Sequence, residues 1–161
     1  MRSVTVWAML LVYWLYLWAH THMVIVWDAQ NYSQLGTLLH HQGFYSYFSS
    51  GVHSEIMYPS LIACAMWVGD MCGMTYDKVL GLFQIGLLSA AFFLTDVLLK
   101  KLQVQPWLRT ACLVYFGLSP AILNMAFSMF SEIVALPLCL AVVILLIHSW
   151  EDLSPKGFVT R

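Results

Sequence analysis

The sequence predicts an all-α membrane protein of about four transmembrane helices, with further helices lying along the membrane in the first loop. Three observations carry that expectation. Apolar residues make up 61% of the chain and charged ones only 9%, whereas soluble domains hold ~45–50% and ~25%. The mean hydropathy is +0.77, and the apolar residues fall in runs close to the ~20 that a helix needs to cross a hydrocarbon core. Those runs are continuous rather than alternating, which disfavours a closed β-barrel.

Each element follows from its own pattern, and the chain, 1–161, reads as one transmembrane domain. The first span is expected at residues 4–26. Arg2 before an apolar run also begins many secretory signals, but this run is too long, carries Trp7, Trp14 and Trp18, and lacks a small-residue cleavage site. A retained helix is the expectation. Further spans are expected at 79–99, 108–127 and 133–150. Between the first two lies a loop over about 28–77, placed on the exoplasmic side. Its first part can place Tyr32, Leu35 and Leu39 on one helical face and Gln30, Gln34, Thr37 and His41 on the other, the pattern of a helix on a membrane surface. Its second part, 59–68, is apolar but too short to span, and reads as an interfacial or re-entrant helix with Pro59 in its first turn.

Seven basic and eight acidic residues give a net charge of -1 without any run of like charge, so nucleic acid is not an expected partner. Basic residues near span ends favour the cytoplasm. With Arg2 inside, Lys100, Lys101, Arg109, Lys156 and Arg161 also fall inside and only Lys78 outside, six against one. The exoplasmic face then collects Asp28, Glu55, Asp70, Asp77 and Glu132 with His40, His41 and His53. Asp96 lies four residues before Lys100, where an ion pair would satisfy it at the inner interface. Cys64, Cys72, Cys112 and Cys139 stand singly and read as packing residues.

Two acidic residues invite a chemical reading. Asp28 opens the surface helix, where a carboxylate suits the helix dipole, and it is equally placed to act as a base at the bilayer surface. Glu132 holds the same kind of position at the start of the last span, on the same face of the membrane. Two carboxylates facing one side suit either a divided acid/base site or a divalent cation.

The order of these signals is a first span, Asp28 just outside it, D-x-x-x-Y through Tyr32, the Tyr58-Pro59 pair, basic residues inside and Ser131-Glu132 outside. It resembles the N-terminal part of the GT-C class of membrane glycosyltransferases, and within that class the families related to protein mannosyltransferases and to transferases of aminoarabinose to lipid A. The resemblance implies transfer of a sugar from a polyprenyl-phosphate donor to an acceptor on the exoplasmic side. It implies Asp28 as the catalytic aspartate, Glu132 as a second acidic residue at the acceptor or a metal, and Tyr32 and Tyr58 as supports of the loop. A leaving lipid phosphate needs positive charge, for which this face offers Lys78, protonated histidines or a divalent cation. Members of the class are several times longer, so the resemblance implies an N-terminal portion completed by further spans or a partner subunit. A bacterial inner membrane and an endoplasmic reticulum membrane suit it equally, with the N-terminus in the cytoplasm.

Two other classes compete. A non-catalytic multi-spanning subunit or scaffold would use Trp14, Trp18, Trp27, Trp67, Trp107 and Trp150 only as interface belts. A small metal or ion transporter would draw on His20, His22, His40, His41 and His53. No phosphate-binding loop, HExxH, GxSxG or dinucleotide fingerprint occurs, so soluble nucleotide sugars are not suggested as donors.

Overall fold

The computed structural model describes residues 2–23, 28–49 and 56–153. These form α1 (Arg2–His20), α2 (Asp28–Ser49), α3 (Met57–Cys72), α4 (Tyr76–Lys101), α5 (Pro106–Leu118), α6 (Pro120–Phe127) and α7 (Glu132–Leu153). Ser3–His20, Tyr76–Lys101 and Glu132–Trp150 are each long and apolar enough to cross a membrane, and α5 with α6 would make a fourth span bent by 45°. The chain is thus an all-α membrane protein.

α4 is the central post, touching α1, α3, α5, α6 and α7. Its buried face carries Leu80, Ile85, Leu88 and Phe92, which join one core cluster with Trp14 from α1, Tyr58 and Ile62 from α3, and Leu113 from α5. Trp14 is fully buried, and an indole inside a bundle needs an acceptor for its N–H. Its Nε1 donates to the Gly117 carbonyl at 3.0 Å, which ties α1 to α5. The outward sides of α1 and α7 show Met9, Val12, Leu145 and Leu146 to the surroundings, as lipid-facing helices do.

The two loop helices pack on each other at one end of this bundle. α2 buries Ala29, Gly36 and Leu39 and exposes Gln30, Gln34, Thr37 and His41, the division read from the sequence. Gly36 lets the helices approach closely, since a Cβ there would sit 2.5 Å from Ile62 Cγ2 on α3. α3 starts two residues before Pro59, leaving the proline in the first turn, and stops where Gly73 takes the left-handed conformation (φ 66°). Its 16 residues are too few to count among the spans.

Three expectations need correction. α1 ends at His20, six residues before the end expected from hydropathy, while residues 24–27 lie outside the described part of the chain. Local polar groups capture the final carbonyls there: Thr21 Oγ1 donates to Leu17 O at 2.7 Å, and the Lys78 ammonium donates to Trp18 O at 3.0 Å. The segment 108–127 is two helices rather than one, because Pro120 has no N–H to donate and holds Ser119 out of the helical region (ψ 121°). The cysteines are free, and Cys64, Cys72 and Cys139 are exposed and so do not pack the core, whereas Cys112 is half-buried.

Candidate functional site

Three helices, α2, α3 and α7, begin at one end of the bundle and meet there. Tyr32, one turn into α2, sets its ring edge-on against Tyr58 of α3, with centroids 5.3 Å apart. The Tyr32 hydroxyl lies 3.5 Å from Ser131 Oγ. The Ser131 carbonyl accepts from the N–H groups of Val134 and Ala135, so Ser131 is the residue from which α7 winds up and Glu132 stands in its first turn. Asp28 precedes Tyr32 by four residues on α2 and therefore shares its side of the helix, about 6 Å further along the axis.

Asp28 and Glu132 are both exposed, and among the described residues neither forms an ion pair. The structure thus brings Tyr32, Tyr58 and Ser131 together, with Glu132 next in the chain to Ser131 and Asp28 one helical turn from Tyr32. Two hard oxygen donors of this kind suit a divalent cation that keeps much of its water. Among the described residues no three of His, Cys, Asp and Glu come close enough to hold a metal unaided.

Under the tyrosines lies a polar node with no forewarning in the sequence beyond a lone glutamine in an apolar span. Gln84 of α4 is completely buried, and its Nε2 donates to Tyr58 Oη at 2.9 Å and to Ser128 O at 3.0 Å. Its Oε1 is buried and accepts no hydrogen bond among the described residues. Burial raises the Tyr58 pKa well above the usual tyrosine range; the Gln84 hydrogen bond opposes that shift, and the charge of Glu132 adds to it. Tyr58 is consequently a neutral phenol, locked in place, whose ring forms one wall of an open groove of about 340 Å³. Met57 from α3 and Ser131, Val134, Ala135 and Leu138 from α7 complete most of the lining.

Lys78 has a different place. Its ammonium closes the C-terminal end of α1, donating to Trp18 O and Thr21 O at 3.0 and 3.4 Å, and it lies 5.6 Å from the Trp18 ring centroid. In return Trp18 Nε1 donates to Lys78 O at 2.9 Å. His40, which the sequence groups with other histidines, pairs through Nε2 with Asp70 Oδ2 at 3.0 Å and so fastens α2 to α3. His53 lies outside the described residues.

At the opposite end of α4, Asp96 is buried and neutralised. Lys100 Nζ lies 2.5 Å from its Oδ2, as the four-residue spacing suggests. Arg109 of α5 adds a second cation, with Nε 3.2 Å from Oδ1. That contact is ionic rather than an in-line hydrogen bond. No family model, curated protein or solved structure matches this chain.

Proposed function

We propose that this chain supplies the N-terminal catalytic elements of a membrane glycosyltransferase of the GT-C class, which moves a sugar from a polyprenyl-phosphate donor to an acceptor on the exoplasmic side. The observation that carries the reading is the meeting of the α2, α3 and α7 starts, through Tyr32, Tyr58 and Ser131, near two exposed carboxylates that form no ion pair among the described residues. In this reading Asp28 takes the proton from the acceptor hydroxyl as its oxygen attacks the anomeric carbon and the lipid phosphate leaves. Glu132 holds the acceptor or shares a divalent cation with Asp28, and Tyr32 and Tyr58 fix the helix that carries the base. The orientation, with the N-terminus in the cytoplasm, rests on the six-to-one distribution of basic residues.

A second reading, a non-catalytic multi-spanning subunit, draws support from Lys78. It is the lysine or arginine that the charge distribution assigns to the exoplasmic side, and its ammonium is engaged with α1 carbonyls instead of standing free for a phosphate. One assay separates the two. Membranes containing the chain are offered labelled sugars on polyprenyl phosphate, and the native sequence is compared with Asp28→Asn at matched expression. Transfer that disappears in the variant supports the transferase; transfer by neither supports the subunit.

A further inference from the structure

Asp96 of α4 has more positive charge around it than it needs. Lys100 Nζ and Arg109 Nε stand at its two oxygens, 2.5 and 3.2 Å away, so two cations share one carboxylate and one positive charge is left over. The surplus faces outward. The Asp96 side chain is only 4% exposed, whereas that of Lys100 is 50% and that of Arg109 22% exposed. Arg109 turns its Nε to the carboxylate, and its two Nη amino groups donate to no described residue. Around the cations the surface is apolar, with Leu102, Trp107 and Leu108 exposed at the corner between α4 and α5. α4 is long and apolar enough to cross a membrane, so its Lys100 end lies at the depth of the lipid headgroups.

We infer that this corner binds the headgroup phosphate of an anionic phospholipid, gripped by the outer edge of the Arg109 guanidinium and by Lys100. A planar guanidinium holds two phosphate oxygens at once, and an ammonium adds a point charge beside it. The apolar rim selects the source of the phosphate. Leu102 and Leu108 suit acyl chains and Trp107 suits the headgroup boundary, whereas a soluble anion gains nothing from them. Net charge selects the kind of lipid, because a zwitterionic headgroup brings its own ammonium against the surplus cation and an anionic one does not. The site stands apart from the glycosyltransferase reading, none of whose residues it uses.

The test is native mass spectrometry of the full chain purified in mild detergent, with phosphatidylglycerol and phosphatidylcholine of identical acyl chains, and inorganic phosphate alone, added in turn. One surplus charge at a membrane surface supports a preference of about five-fold for the glycerol lipid over the choline lipid. That preference is expected to shrink as the ammonium acetate concentration is raised. Arg109→Gln is expected to bring the two lipids to parity, with Lys100 left to neutralise Asp96. Asp96→Asn works in the opposite direction, since it frees both cations at nearly constant volume, and is expected to raise the preference about five-fold further. Loss of folding cannot imitate effects of opposite sign in the two variants, and the salt series needs no variant at all. Equal retention of the two lipids by the native chain, or a preference indifferent to salt, would overturn the inference. So would a preference that survives Arg109→Gln or fails to rise in Asp96→Asn, or retention of inorganic phosphate as readily as lipid.

Discussion

The two ends of α4 treat acidic side chains in opposite ways. At the Lys100 end, Asp96 is buried and faces two cations, one from the next turn of its own helix and one from α5. At the other end, Asp28 and Glu132 begin their helices in the open and form no ion pair among the described residues. A carboxylate in apolar surroundings costs several kcal/mol unless paired, so Asp96 had to be neutralised for the bundle to form at all. Exposed carboxylates at helix N-termini carry no such demand and gain a little from the dipole. The paired end is therefore a clasp, and the unpaired end retains charge that a ligand can use.

Substitutions at the two ends should separate stability from activity, and the largest expected effect is on activity. If Asp28 is the base, Asp28→Asn lowers sugar transfer by about 10²- to 10⁴-fold while the melting temperature stays within error. A variant that melts early and loses activity in proportion would instead make Asp28 a structural residue. Asp96→Ala should do the reverse, costing about 2 kcal/mol in detergent unfolding because Lys100 and Arg109 lose their counter-charge but remain partly exposed.

Next in size is Gln84→Leu, expected to cost roughly 1–3 kcal/mol, since it strips the Tyr58 oxygen and the Ser128 carbonyl of one shared donor inside the core. Denaturation of the purified chain reads this directly, and an unchanged midpoint would mean that the node contributes nothing. The smallest effect is on the alkaline limb of stability. Burial raises the Tyr58 pKa in the folded state, so its neutral phenol keeps its full contribution below the ordinary tyrosine range, near pH ~10, and loses it as the pH climbs further. Tyr58→Phe should flatten that limb relative to the native chain; parallel limbs would exclude Tyr58 as a source of the alkaline loss.

Much of the fold was legible because membrane helices obey a single strong rule of length and hydropathy. α4 starts and ends within three residues of its expected limits, and the division of α2 into a buried and an exposed face follows its sequence pattern. The rule overshot at α1, where hydropathy continues through residues 23–26 but the polar side chains of His20 and Thr21 and the distant Lys78 draw off the last carbonyls. Lys78 was legible as an exoplasmic cation and not as a helix cap, because its partners lie 57 and 60 positions away in the chain. Pairing of Asp96 with Lys100 could be read from spacing, whereas Arg109 joins them only through the packing of α5 on α4. In the candidate site, the tyrosines and acids were visible as separate signals. Gln84, which ties Tyr58 to the Ser128 carbonyl beneath them, has no motif around it.

The central claim is that the starts of α2 and α7 stand together at one end of the bundle, and thiol cross-linking tests it most directly. In a chain whose four native cysteines are replaced by alanine, Tyr32→Cys with Ser131→Cys is treated in native membranes with a short bismaleimide, beside a control pair of Tyr32→Cys with Val97→Cys near the far end of α4. The account predicts an intramolecular cross-link in the first pair and none in the control. Absence of the link in the first pair, or equal linking in both, would contradict it.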